Sequence, residues 1–375
     1  MPDGPRVLNV LLYSTLFPNR SNPLLGSFVY DCALQLRRYC HVEIASPIPL
    51  SRRYLEGIKS PGVENVGPFT VFHPKLPVPP KRIGFRSWGY IYKLFSQGLV
   101  RNLDFDVVHA HQAYPDGHAC ALMKESIAKP LVVTIHGELS NPEFCQYSIQ
   151  SKVRYALDKA DKIILIARDQ RELCARFGLQ DLSKLVFIPN GFDEDMFFPA
   201  PQSQARRALG IPQDVRVIMY VGHLYPPKGL SYLIEATKIL ADKRRDFVLY
   251  VVGDGTLKEA LVNQAQISQV GELIRFVGAR AHQEIPLWLN SADLFVLPSL
   301  KEGFPTVIPE ALACGKPVVA TRINGIPDVV PRQEFGVLVE PANAEDLARG
   351  ILVALDRAWS ESSILAHARN YSWQR

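Results

Sequence analysis

The sequence predicts an α/β protein of two doubly wound domains, each a parallel sheet with helices on both faces, over residues 1–195 and 196–375. Three observations predict it. At 375 residues the chain exceeds what one hydrophobic core usually organises. Short apolar, β-branched runs alternate with helix-length segments, the signature of βαβ units. The alternation also runs through once, breaks at the turn- and proline-rich "IPNGFDEDMFFPAPQSQ", and starts again.

In the first half the predicted strands are "RVLNVLLYS", "HVEIASP", "FDVVHAH", "LVVTIHG", "KIILIA" and "LVFIPNG". In the second they are "VRVIMYVG", "DFVLYVVG", "LIRFVG", "LFVLPS", "KPVVATR" and "GVLVEP". Runs this continuously apolar are buried on both faces, as in a parallel sheet covered by helices. From Gly229 a helix is expected, because Leu230, Leu233, Ile234, Thr237 and Leu240 fall on one side of it. Three strands of the second half end in glycine, at Gly222, Gly253 and Gly278. Ligands of open parallel sheets sit beyond the carboxyl ends of the strands, and glycine lets backbone approach them closely.

The loop "VGHLYPPKG" carries His223 and Lys228 just before that helix. Free N–H groups, the helix dipole and a lysine together suit a phosphate. No G-x-x-x-x-G-K-[ST] occurs, so this is not a P-loop, and no G-x-G-x-x-G follows the first strand of either half, which disfavours a dinucleotide enzyme. Asp254 lies in a Gly-Asp-Gly turn after the next strand. In the first half, "STLFPNRSNPLLGSF" is a long loop with Gly26 near a helix start, able to lay backbone N–H groups on a diphosphate. His109 and His111 share one side of a strand because side chains repeat every two residues, and His118, His136 and Asp116 lie nearby in the sequence. A metal site is one reading of these groups. Hydrogen bonding in a cleft is the other, and no HExxH-type spacing favours the first.

Residues 81–101 interleave Lys81, Arg82, Arg86, Lys93 and Arg101 with Phe85, Trp88, Tyr90, Tyr92 and Phe95. Such a helix either rests on an anionic membrane or covers the sheet with its basic residues in water. The whole chain holds 42 Lys plus Arg against 37 Asp plus Glu, a surplus of five that suits an anionic ligand or membrane surface and does not call for nucleic acid. Hydrophobic residues make up 47% and charged ones 21%, as in an ordinary globular protein rather than a disordered one. Cys32, Cys40, Cys120, Cys145, Cys174 and Cys314 show no CxxC or metal-type spacing and read as free thiols of a reducing compartment. With no signal-peptide core and no run of about 20 apolar residues, the expected location is cytoplasmic, or peripheral on the cytosolic membrane face.

One stretch gathers the chemistry. In "EGFPTVIPEALACGKPVVAT" Glu302 and Glu310 flank a Gly-Phe-Pro turn, and Pro309 fits a helix only in its first turn. Together with "FPNRSNPLLGSF", "HAHQAYPDG", "TIHG", "IPNGFDEDMFFP", "VGHLYPPKG", "VVGDGTL" and "NGIPDVV", in this order along the whole chain, it resembles the retaining family-4 glycosyltransferases. The resemblance implies the GT-B architecture: two Rossmann-like domains facing across a cleft, acceptor on the first and nucleotide sugar on the second. It implies that Glu302 accepts hydrogen bonds from the donor sugar and Glu310 from the ribose, ionised carboxylates being pure acceptors. Gly303, Phe304, Pro305 and Thr306 would offer backbone to sugar and phosphate, and Lys228 would neutralise the diphosphate as it leaves. Gly26, Gly222, His223, Gly253 and Gly278 complete the donor side, and His136 would touch the donor sugar as the domains close. His109, His111 and Tyr114 would line the acceptor side.

The implied reaction moves a hexose from a UDP- or GDP-sugar to a saccharide or lipid-linked acceptor, as in polysaccharide biosynthesis, with no metal or other cofactor. Two departures from the family pattern stand out. His223 occupies the place of a common arginine, which implies weaker or pH-sensitive diphosphate binding. The sequence stops at "YSWQR", where relatives continue into a helix crossing back to the first domain, which implies a looser pair. A non-catalytic sugar-nucleotide binder and, on the histidines, a metal-dependent hydrolase are the alternatives.

Overall fold

A computed structural model describes residues 7–23, 25–50, 61–140 and 149–375. Cys145 lies outside the described residues. The chain divides into two compact units, Met1–Pro189 and Asn190–Arg375.

The first unit contains β1 (Asn9–Tyr13), β2 (His41–Ala45), β3 (Ile48–Leu50), β4 (Val63–Val66), β5 (Phe69–Phe72), β6 (Lys75–Pro77), β7 (Val107–His111), β8 (Leu131–Ile135), β9 (Lys162–Leu165) and β10 (Leu185–Phe187). Eight of these form one sheet in the order β10-β9-β8-β7-β1-β2-β5-β4, parallel except for the antiparallel β4–β5 pair at its edge. The remaining two, β3 and β6, pair in parallel as a separate ribbon. Central β1 shows why the strands are continuously apolar. Leu11 and Tyr13 enter a core roofed by the helices Trp88–Arg101, His118–Ile127 and Gln150–Lys159. Leu12, on the opposite face, packs under the helix Ser27–Leu36 with Val29 and Ala33. Successive side chains from Leu11 to Tyr13 feed two cores, so these positions are all apolar.

The second unit is an all-parallel sheet, β13-β12-β11-β14-β15-β16, made of β11 (Arg216–Val221), β12 (Phe247–Val252), β13 (Ile274–Gly278), β14 (Leu294–Leu297), β15 (Val318–Thr321) and β16 (Gly336–Val339). The helix after Gly229, Leu230–Ala241, buries Leu230, Leu233, Ile234, Thr237 and Leu240, the face expected from the sequence. Strand order reverses between β11 and β14 here and between β1 and β7 in the first unit, and loops diverge at such points to leave a crevice. The second unit also closes on itself. Phe192 N donates to Tyr371 O at 2.9 Å and Trp373 N to Phe192 O at 3.1 Å, with the Trp373 ring laid against Gly191.

The 81–101 segment folds as a short helix Lys81–Gly84, a 3-10 turn Phe85–Ser87 and the helix Trp88–Arg101. Trp88, Tyr92, Ser96 and Val100, spaced by four, face the core. Among the described residues no helix is long and apolar enough to cross a membrane.

Candidate active site

In the second unit the strand-end glycines extend the sheet past its strands. Gly222 N donates to Val252 O at 3.0 Å and Gly253 N to Gly278 O at 2.9 Å. A side chain at Gly253 would put its Cβ 1.9 Å from Gly222 O, so this end of the sheet is bare backbone by steric necessity. Beyond it, the loop after β11 is sewn to the loop after β14. Pro227 O accepts from Leu300 N at 2.7 Å, and Gly229, at φ +66°, lies so close to Pro298 O that a Cβ would stand 2.1 Å from it.

That seam brings Lys228 to Glu302, Nζ to Oε1 2.6 Å apart across 74 residues of sequence. Ser299 Oγ fixes the carboxylate further, donating to the same oxygen at 2.6 Å, and Asn324 Oδ1 holds the backbone, accepting from Glu302 N at 3.3 Å. Thr321 Oγ1 donates to Ser299 O at 2.6 Å, tying the arrangement to the end of β15. Glu302 is almost buried, its side chain 9% exposed, while Lys228 reaches water at 25%.

Glu310 sits on the helix Val307–Ala313, buried, with His282 Nε2 3.4 Å from its Oε1. The Gly303–Thr306 turn leads into that helix, with Pro305 O accepting from Ile308 N at 3.1 Å and the buried Phe304 ring packed 6.0 Å from Tyr371. Pro309 falls within the first helical turn, as expected. The backbone carbonyl of His223 accepts from Tyr220 Oη at 2.9 Å, and its imidazole stacks on Tyr225. Partial burial, and then the nearby Lys228 charge, lower the His223 pKa, so the ring is neutral at pH 7. Gly278 closes β13 in the left-handed region at φ +87°.

In the first unit the imidazoles form a stacked row at the ends of β7 and β8. His109 Nε2 is 2.7 Å from Thr134 Oγ1, and His111 Nδ1 is 2.8 Å from His136 Nε2 with the two rings 12° from parallel. Glu138 takes the backbone N–H of His136 at 2.7 Å on one oxygen and that of Ala113 at 2.8 Å on the other. Asp116 accepts from Thr15 N and Oγ1 at 3.1 and 2.9 Å, joining the loop after β1 to that after β7. Gly26, in the left-handed conformation, starts the helix Ser27–Leu36, and Phe28 in its first turn lies 4.6 Å from the His136 ring.

Burial pushes the His109 pKa down to about 4 and, with His109 adding to it, that of His136 to about 3; His111 also falls well below its usual value. Burial raises Asp116 to about 7 despite the Thr15 hydrogen bonds. Among these groups His111 Nε2, His136 Nδ1 and Asp116 Oδ1 are buried with no partner among the described residues. They are the polar atoms a substrate hydroxyl could satisfy.

Tyr114 is not presented to this cluster. It is fully buried, its hydroxyl donates to Phe85 O, and it accepts from Gly89 N at 3.3 Å. The irregular turn opened by Gln112 at φ +88° sends the ring into the helical layer, so an acceptor-side role for its hydroxyl has no structural support. Sequence reasoning also missed Ser299, Asn324, Glu138 and Thr15. Ser299 had a signal as the last residue of a predicted strand, and Asn324 as the first residue of an Asn-Gly pair, a turn signal that the structure bears out with φ +43°. Among the described residues no group of three or more His, Cys, Asp or Glu side chains is placed to hold a metal ion.

Two Rossmann-like units with polar clusters at their switch points define the class of GT-B glycosyltransferases, and solved structures agree. Sucrose-phosphate synthase from Thermosynechococcus elongatus superposes with a TM-score of 0.80 at 21% identity over 98% of this chain and 96% of that one. Anabaena Alr3699/HepE in complex with UDP-glucose gives 0.74 at 22% identity, again over 98% and 96%. In sequence, residues 25–196 match the model for Glycosyltransferase Family 4 and residues 201–370 that for Glycosyl transferases group 1. A D-inositol 3-phosphate glycosyltransferase of Catenulispora acidiphila is 30% identical over 79% of this chain and 76% of its own length. The chain belongs to the family-4, group 1 glycosyltransferases.

Proposed function

We propose that this glycosyltransferase takes a hexose from a UDP- or GDP-sugar and passes it, with retention at the anomeric carbon and without a metal, to a saccharide or lipid-linked acceptor. The observation that carries the reading is the Lys228–Glu302 pair at the β11/β14 switch point, beside bare glycine backbone. Diphosphate oxygens need positive charge and N–H donors. Lys228 supplies the first, and the glycine-ended backbone permits close approach for the second. Sugar hydroxyls need fixed acceptors, which is what a carboxylate held by Ser299, on a backbone tied to Asn324, provides.

As the sugar–phosphate bond breaks, negative charge grows on the diphosphate, and Lys228 is placed to stabilise it. Glu310 takes the ribose, the Gly303–Thr306 turn offers its backbone to sugar and phosphate, and Gly222, His223, Gly253 and Gly278 border the phosphates. The His136 imidazole, neutral and held by His111, with its backbone N–H fixed by Glu138, is assigned to the donor sugar, and His109 and His111 to the acceptor side. Alr3699/HepE binds UDP-glucose on the same fold, which supports a UDP-sugar as the donor to try first.

The test is a melting series with UDP, GDP, ADP and their sugar conjugates, with and without EDTA. A ligand at ~100 times its dissociation constant adds about 2.7 kcal/mol to the folded state. One nucleotide should shift the melt selectively and equally in EDTA, and Lys228→Ala should abolish the shift. A shift that vanishes in EDTA would refute metal independence. Binding without transfer to any acceptor would leave a sugar-nucleotide binder in place of an enzyme.

A further inference from the structure

The helical segment 81–101 has a second face that the described residues leave largely in water. Opposite its core-facing row, Tyr90 and Leu94 stand one turn apart in solvent, Leu94 at 62% exposure, and Ile83 in the short helix before it is 82% exposed. Phe95 is half exposed on the flank. Scattered exposed apolar side chains are normal, but here they share one stretch of chain with an unbalanced charge. Residues 81–101 contain five Lys or Arg and no Asp or Glu, so they account for the whole surplus of five and the rest of the sequence is neutral. From the neighbouring helix Lys152 adds to this, its Nζ 3.0 Å from Tyr90 Oη and 5.0 Å from the ring centroid.

We infer that this face docks the protein on an anionic lipid surface. Exposed Leu94 and Ile83 would enter the boundary between headgroups and acyl chains. Tyr90 would sit at headgroup level, as amphipathic rings do, and Lys81, Arg86, Lys93 and Arg101 would meet the lipid phosphates. The helix lies on the bilayer and does not cross it, since 14 residues fall short of the apolar length a span requires. An acidic protein would satisfy the charges but gives no use to an aliphatic pair in water, which is why lipid is favoured.

Sedimentation of the full chain with vesicles tests this without nucleotide, so the result is independent of the donor site. Binding is expected to vesicles containing phosphatidylglycerol and not to phosphatidylcholine alone, and to weaken with added salt. Leu94→Glu should reduce partitioning by at least ~10-fold, and Lys93→Glu with Arg101→Glu by a similar factor. All three positions lack a core role, so an unchanged thermal melt shows that the variants are folded. Equal binding to neutral vesicles, or binding untouched by both variants, overturns the inference. A wild-type dimer that Leu94→Glu dissociates, without vesicle binding, would instead give the face to a second copy of the chain.

Discussion

Removing Lys228 tests the seam of the donor-side site most directly, because the contact is short, half-buried and long in sequence range. At 2.6 Å and an effective dielectric of about 20, the Lys228–Glu302 attraction is about 6 kcal/mol before desolvation is subtracted. Truncating one partner of a fully buried pair costs about 3–5 kcal/mol. Here Lys228 is a quarter exposed and Glu302 keeps the Ser299 hydroxyl, so Lys228→Met should cost about 2–3 kcal/mol. Glu302→Gln leaves a lysine that still reaches water and should cost about 1–2 kcal/mol. The double variant buries no unpaired charge and should cost no more than the worse single one, giving a coupling of about 1–2 kcal/mol. Urea unfolding of the four proteins without nucleotide measures this, and each kcal/mol corresponds to about 2–4 °C in a melt of a domain this size. Additivity within about 0.5 kcal/mol would show that the two side chains do not meet in solution. The donor-side assignment would then lose its central observation. Either single variant should also lower transfer by at least ~10-fold, about 1.4 kcal/mol of barrier.

Two further outcomes follow from packing and burial. Gly253→Ala places a methyl 1.9 Å from Gly222 O, so it should destabilise the second unit by more than about 2 kcal/mol and weaken nucleotide binding; a melt and nucleotide shift like those of the unmodified protein would show the strand ends to be further apart. The histidines predict acid sensitivity. With folded pKa values of about 4 for His109 and about 3 for His136 against about 6.5 unfolded, the unfolded chain binds the extra protons as pH falls from 6.5 towards 4. Stability is full above that window and drops within it by about 1.4 kcal/mol per pH unit for each histidine. Asp116, raised to about 7, acts in the opposite sense, favouring the fold at low pH and losing that contribution as pH rises to 7. Urea titrations of His136→Asn should show the slope between pH 6 and 4.5 reduced by about one histidine's worth; an unchanged slope would mean that His136 is not buried neutral.

All twelve strands expected from apolar runs are present, because a parallel sheet buried on both faces writes its strands as unbroken hydrophobic stretches. The four from β3 to β6 escaped notice for the same reason inverted. They are three or four residues long, β4 alternates exposed and half-buried positions, and Pro49 and Pro77 interrupt the pattern. Site residues divide in a similar way. His109 and His111 were legible as neighbours because period two puts them on one side of β7, and their rings lie 4.3 Å apart. The meeting of Lys228 with Glu302 was not legible from spacing, since it depends on β11 and β14 being adjacent although two strands intervene in the sequence. The direction of Tyr114 has no sequence signal, because an irregular turn rather than any period sets it.

The pairing of Phe192 with Tyr371 and Trp373 makes the second unit a loop in sequence as well as a domain in space. Phe192 and Trp373 meet within a hydrogen bond's length, so the stretch between them can be treated as a cassette. It can be inserted into a surface loop of a reporter protein, or its ends joined and new ones opened elsewhere, with no linker needed to cross its diameter. Read out by the host's signal, such a graft would report whether this half captures a nucleotide sugar on its own.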